Sequence, residues 1–416
     1  MGRTGNRARG FTLVELMVGV VVSSLVVAGA LALLLAQKRS FQASSADRAL
    51  QETGRMALEE MSQNLRMAGY GVEPPMVFDF GLADDVPMDR APQGPGLVVR
   101  FGGDSSGTTG FACGTAVQCR DRIDGPDELA FQYRNPWFNH QLVSAPSANT
   151  LVIAGPLPQA LEAGQVLQAV CYSGSMVWAY VRVSQQVPAS GNATVAVPLE
   201  GGTALDYPHQ NQTLADTCFQ TGLARVFKVE RLRYFVQNHA PDGTVTAWNA
   251  PGSRPFLLRD RGLRDASGAP IVDVVSPDVE DLQVAYVFPL APLGQEVAGA
   301  TAGTRLDASA TGIDLAPSGG TPRYDTPRLS PLRATHWPAN VRAVRLDVVV
   351  RSPNPDPQRE EAVIPAAGNR PANTGGEPGH RRMLFQTSVA IPNMESRAPF
   401  FPALGTGADQ LNVGGG

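Results

Sequence analysis

The stretch that most restricts this chain is the run from Phe11 to Ala36. It holds 26 residues and a single charge, Glu15. As a helix it spans roughly 39 Å, enough to cross a hydrocarbon core of about 30 Å. Arg3, Arg7 and Arg9 stand just ahead of it. By the positive-inside rule they stay cytoplasmic, which places the rest of the chain across the membrane. A carboxylate near the bilayer centre costs about 2.5–3.5 kcal/mol on insertion scales, so Glu15 needs a reason to be there. Were the chain cut after Gly10, the new amine of Phe11 would lie one helical turn from Glu15.

A secretory signal peptide also has a basic start and an apolar core, and Ala30-Leu31-Ala32 offers an A-x-A cleavage site. Such a core runs about 7–15 residues, and the region around its cut is polar. Here Leu33-Leu34-Leu35-Ala36 follow the site and are apolar. A plain transmembrane anchor fits the run but leaves Glu15 unexplained.

Gly10-Phe11-Thr12-Leu13-Val14-Glu15-Leu16 resembles the type IV prepilin signature. The resemblance implies a short leader removed after Gly10 by a membrane prepilin peptidase, and methylation of the Phe11 amine by the same enzyme. It also implies that Glu15 pairs with the N-terminus of a neighbouring subunit during assembly. Many major pilins carry a proline at the position of Ala32, and its absence here favours a minor subunit or a pseudopilin.

Net charge is −4, which gives no reason to expect nucleic-acid binding. Gly (43) and Pro (34) are frequent and charged residues only 17%, a mix that suits strands joined by turns and long loops. Cys113, Cys119, Cys171 and Cys218 make an even number, consistent with two disulfides in an oxidising periplasm. The expected pairs are Cys113–Cys119, around a short segment, and Cys171–Cys218. Four cysteines allow three connectivities, so the other two stay open.

From Gln37 to Ala68 there is no proline, and Leu50, Ala57, Leu58, Met61, Leu65 and Ala68 recur at helical spacing. This stripe should lie on the protein's own head, with Met56 and Met67 at its margin. Arg48–Glu52 and Arg55–Glu59 are candidate i, i+4 pairs on the wet side. Gly69, Gly71 and Pro74-Pro75 end the helix.

Beyond Pro75 the pattern turns to period two and β-branched runs. Expected strands are 97–101, 128–134, 151–154, 166–172, 176–183, 194–197, 225–237, 245–248, 256–258, 279–288, 341–351 and 383–391. The run from Val341 to Val348 reads as a half-buried strand. Strands and helices do not alternate, so a parallel βαβ sheet is not expected. Segments 289–340 and 352–380 are poor in large apolar residues and are expected to be largely disordered loops.

Four blocks resemble PilW-type minor pilins: Asp127–Tyr133, Val279–Tyr286, Trp337–Arg345 with Val350-Arg351-Ser352, and Arg382–Val389. The family's last strand often ends in L-R-N, where Ile391-Pro392-Asn393 stands here. The implied fold class is α+β and pilin-like: a long N-terminal helix, half in the membrane and half amphipathic, packed on a mostly antiparallel β-sheet head with long loops. The expected division is leader 1–10, membrane half 11–36, amphipathic half 37–70, periplasmic head 71–400 and flexible tail 401–416.

The head offers little chemistry. Gly103-Asp104-Ser105-Ser106-Gly107 is close to a serine-protease motif but reads as a turn. Asp121, Asp124, Asp127 and Glu128 do not have the spacing of an EF-hand loop. His140, His209, His239, His336 and His380 are scattered, without a metal-binding spacing. No Walker loop is present. The sequence therefore predicts a non-enzymatic minor type IV pilin without cofactor or metal. Its expected partners are prepilin peptidase, other minor pilins, the major pilin and the inner membrane, with no nucleic acid. A type II secretion pseudopilin of the J kind is the alternative. A membrane-anchored periplasmic enzyme or binding protein is a second one, and it predicts no cut after Gly10.

Overall fold

The structure is a computed structural model. It describes residues 13–72, 77–79, 126–127, 129–147, 149–172, 176–200, 214–220, 222–246, 248, 250–287, 305–306, 313–314, 323–324, 341–356, 359–368 and 372–395. Gly10, Phe11, Cys113, Cys119, the expected strand 97–101 and the Gly103–Gly107 turn lie outside the described residues.

One helix, α1 (Leu13–Leu65), runs 53 residues, about 80 Å at 1.5 Å per residue. Its first half is exposed on every side, and the segment hydrophobic enough to cross a membrane has none of its residues buried. Its second half buries Leu50, Gly54, Ala57, Met61 and Leu65, and the stripe continues into Ala68. That is the expected stripe with two changes: Gly54 joins it, and Leu58 sits at its margin. Gly69 and Gly71 adopt φ of +79° and +68°, a region open to glycine at little cost, and the chain turns away there.

The head begins with β1 (Phe78–Asp79), β2 (Leu129–Gln141), β3 (Thr150–Ala154), β4 (Val166–Tyr172), β5 (Met176–Arg182) and β6 (Thr194–Pro198). Then come α2 (Thr217–Gln220), β7 (Arg225–His239), β8 (Val245–Thr246), β9 (Arg254–Arg264), β10 (Pro270–Pro277) and β11 (Val279–Val287). Three two-residue pieces follow: β12 (Arg305–Leu306), β13 (Ile313–Asp314) and β14 (Arg323–Tyr324). The described chain closes with β15 (Ala343–Arg351), β16 (Arg382–Ala390) and a single turn, α3 (Pro392–Glu395). All strand pairs described are antiparallel. A large sheet centres on β7, flanked by β2, β4 and β9. A second sheet runs β12-β11-β15-β16. Together with the stripe of α1 these two sheets enclose the main core, which includes Phe78, Phe131, Leu232, Tyr234, Leu282, Leu346 and Val348.

Contacts along α1 show how it crosses the large sheet. Thr53 meets β10 through Ser276, Glu60 meets β9 through Arg259, Asn64 meets β7 through Tyr234, and Gly69 bonds Gln132 of β2. The helix thus crosses successive strands diagonally. β2 then continues past the helix end to Gln141, roughly 20 Å farther at strand rise. A second core fills that extension, built from β3, β6, the ends of β4, β5 and β7, and α2.

Four expectations are corrected. Strand β10 was not expected, because prolines bracket it and Asp273 sits within it; that aspartate pairs with Arg259 and Arg261 of β9. Those same ion pairs let β9 run through its charged stretch, well past the expected 256–258. The strand at 343–351 is not half-buried. Val344, Leu346, Val348 and Val350 join the main core, while Asp347, Val349 and Arg351 are also buried. What covers that second face is the segment 352–380, expected to be disordered. Its described residues are an ordered irregular strap: Ile364 and Ala367 pack on Val349, and Gly368 N donates to Asp347. Polar anchoring, which apolar content does not register, holds the strap.

Candidate functional site

Two surfaces carry what this fold can do: the bare half of α1 and the joint that fixes its other half to the head. On the bare half, Glu15 lies in the first turn and is exposed. The hydroxyls of Ser23 and Ser24 donate to the carbonyls of Val20 and Val21, at 3.0 and 2.8 Å. Inside lipid those polar groups are then satisfied within the helix. Leu13, Val14, Leu16, Met17 and the apolar residues after them face outward around the whole circumference. A helix hydrophobic all round must be covered by lipid or by other helices.

The joint combines close packing with polar latches. At Gly54 an added Cβ would run into the Phe385 ring of β16, so any larger residue requires that ring to move aside. Beside it, Arg259 binds Glu60 of the helix and Asp273 of β10. The Tyr234 hydroxyl donates to Glu60 and accepts from Asn64 at 2.9 Å. Burial first, then the Glu60 charge, pushes the Tyr234 phenol well above its ordinary value, so it stays protonated and remains a donor. Tyr133 nearby is pushed up to about 12, by burial and then by Glu230. Asp47 reaches Arg381 at 2.9 Å. The expected Arg48–Glu52 and Arg55–Glu59 pairs do not form among the described residues, and Glu59 accepts from Gln63 instead.

The helix end is closed from the far side of the chain. Asn393 Nδ2 donates toward the carbonyls of Arg66, Met67 and Ala68, at 3.2, 3.4 and 3.3 Å. These carbonyls lie in the turn just past Leu65, where the helical ladder has ended; Met67 O also accepts from Tyr70 N. Asn393 was overlooked in the sequence. The signal was there, in a proline that stops β16 and an asparagine directly behind it.

Three of the four sequence blocks that carried the PilW resemblance meet in the second sheet, while Asp127–Tyr133 leads into β2 of the large sheet. Glu280 of β11 is gripped at both oxygens by Arg382 of β16, at 2.6 and 3.0 Å, with both side chains almost fully buried. Arg351 of β15 binds Glu377, and His380 Nδ1 donates to Ser352 O at 2.6 Å. Asp127 is buried and accepts from Val284 N, so this residue of the acidic group is committed to the fold. Among the described residues no group of three His, Cys, Asp or Glu could hold a metal ion.

Two family models match the chain. The prokaryotic N-terminal methylation motif covers residues 5–31, and the type IV pilus-assembly protein W domain covers 233–393. The chain is a PilW-type pilin. No curated protein and no solved structure matches it significantly. As a minor type IV pilin it takes part in pilus assembly, a structural role. Its prepilin motif implies processing by a prepilin peptidase and assembly with other pilus components, and its apolar helix fits a membrane anchor.

The domain match runs from the middle of β7 to α3, which takes in the second sheet, the strap and the Asn393 cap. The extension beyond the helix end lies outside it. That part of the pilin is braced by a disulfide between Cys171 of β4 and Cys218 of α2, with Cα atoms 6.0 Å apart. The bridge closes 47 residues of sequence; by chain entropy a loop of that size contributes about 4 kcal/mol.

Proposed function

We propose that this minor pilin waits in the inner membrane as a single-pass protein with a periplasmic head, then enters the pilus at or near its tip and helps start assembly. Cleavage falls after Gly10, the Phe11 amine is methylated, and Glu15 pairs with the Phe11 amine of a neighbouring subunit. The carrying observation is the division of labour along α1. The stripe from Leu50 to Ala68 is used up on the pilin's own head, which leaves the bare membrane half as the shared docking element. Other minor pilins and the major pilin are its partners. The reading assigns it no catalytic step and no cofactor.

The head extends beyond the helix end in the direction away from the membrane. In a filament of aligned helices that extension would meet the next subunit above, whereas at an end it meets none. Gene deletion tests the reading, with pili per cell and protein secretion scored side by side. Loss of pili with normal secretion is expected. Normal pili with impaired secretion would instead place the protein with the type II secretion pseudopilins. Mass spectrometry of the mature N-terminal peptide is expected to find a methylated Phe11; a chain starting at Leu33 would overturn the processing.

A further inference from the structure

β16 is the outer strand of the second sheet, and its direction of pairing can be read residue by residue. Ile391 N donates to Arg342 O, and Arg381 O accepts from Ser352 N, both at 2.8 Å. In an antiparallel pair, alternate residues turn both backbone groups toward the partner strand. The register with β15 is continuous from Arg382 to Ala390. Hence Met383, Phe385, Thr387 and Val389 bond β15, whereas Leu384, Gln386, Ser388 and Ala390 turn their N–H and C=O groups outward. Among the described residues nothing bonds that outer row. Gln386, Ser388 and Ala390 are exposed.

Proteins usually blunt such an edge with lysine, proline, a bulge or a covering element. Here Met383–Ala390 contains no charge and no proline, and no register shift interrupts it. The side chains do not block access either. Met383, Phe385 and Val389 turn toward the main core, and Gln386 is drawn to Asp347 on the opposite face. What remains is a flat row of alternating donors and acceptors, which only another extended backbone can match along its length.

We propose that the outer edge of β16 is an assembly site that takes up an edge strand from the head of a different pilin. This rests on reading the chain as a minor pilin. Phe385 of β16 lies against Gly54 of α1, so the edge runs alongside the element that packs with neighbouring helices. A subunit brought next to α1 by its membrane half arrives beside this edge. A protein used in few copies has unlike subunits as neighbours, so the partner strand comes from another pilin rather than from a second copy.

A photo-crosslinking residue at Ser388 of the full-length protein, in cells making pili, tests this, with Val274 of β10 as an exposed control position. The expected adduct joins Ser388 to a head peptide of another protein that carries a prepilin motif. Ser388→Pro removes an outward N–H that the fold does not use. Ser388→Lys places a charge on the edge. Each is expected to reduce pili about tenfold, as for a site weakened by one order in its association constant, with thermal unfolding like that of the unaltered protein. If the proline variant misfolds, the lysine variant decides. Normal pili in a folded edge variant, no Ser388 adduct, or an adduct to a second copy of this chain would each overturn the proposal. Deletion of the whole chain separates the failures. Pili lost on deletion but kept in the edge variants count against the edge alone, whereas pili kept on deletion count against the minor-pilin reading as well.

Discussion

His380 is a buried histidine whose protonation bears on the described fold. Burial, and then the Arg351 charge, hold its imidazole below the ordinary histidine value, partly offset by its bond to Ser352 and by Glu377. A histidine with a lowered folded pKa stabilises the fold fully above its unfolded value of about 6.5, and that stability is lost as pH falls through the folded value. Melting temperature is therefore expected to drop on going from about pH 7.5 to about pH 5, with a shallower drop in His380→Gln, which cannot titrate. Equal slopes in the two proteins would remove the histidine from the account. Asn393 gives a second test. Its amide donates toward three carbonyls in the turn behind the helix, so Asn393→Ala should lower unfolding stability by about 1 kcal/mol in a urea titration, whereas a solvated asparagine would cost almost nothing.

At the scale of elements, the joint between α1 and β16 depends on the missing side chain of Gly54. Alanine is favoured over glycine within a helix by about 1 kcal/mol, so by propensity alone Gly54→Ala stabilises. The Phe385 ring reverses the sign, since an overpacked site costs about 1–3 kcal/mol. Gly54→Ala is expected to lower the melting temperature, and Phe385→Leu in the same chain to restore part of the loss. A rise in the single variant would show that helix and strand can move apart freely. Gly54 also shows what the sequence conceals. The apolar stripe on α1 was legible because its period of 3.6 is local, but a glycine within it is informative only once the ring facing it is known. Strand β10 was hidden for the same reason: Asp273 looks like a turn residue until Arg259 and Arg261 are beside it. The strap at 352–380 is held by backbone and carboxylate bonds to another strand, which composition does not record. By contrast, the strands 166–172 and 194–198 were nearly complete in the sequence, because a short apolar run in the first and the alternation of Val195 and Val197 in the second are written in consecutive residues.

For the whole molecule, the proposed function moves the bare half of α1 from lipid into a bundle of like helices. Both environments are apolar, so the hydrophobic effect barely distinguishes them, and specificity must come from the few polar groups carried along. Ser23 and Ser24 are satisfied by their own helix and contribute nothing to that choice. Glu15, near the start of α1, is the group left to direct it, through the proposed pairing with a Phe11 amine. Glu15→Ala should leave cleavage after Gly10 largely intact, since the cut lies five residues away. Insertion into the filament should fail, because a buried amine then lacks its counter-charge, at a cost of several kcal/mol. The expected pattern is a processed, methylated chain in the membrane fraction and none in sheared pili, with Glu15→Gln behaving the same way because it keeps the shape and loses the charge. Quantitative mass spectrometry of both fractions decides it. Wild-type amounts of Glu15→Ala in pili would mean that packing alone selects the helix, and an unaltered protein as abundant as the main shaft subunit would move this pilin from the end of the filament into its body.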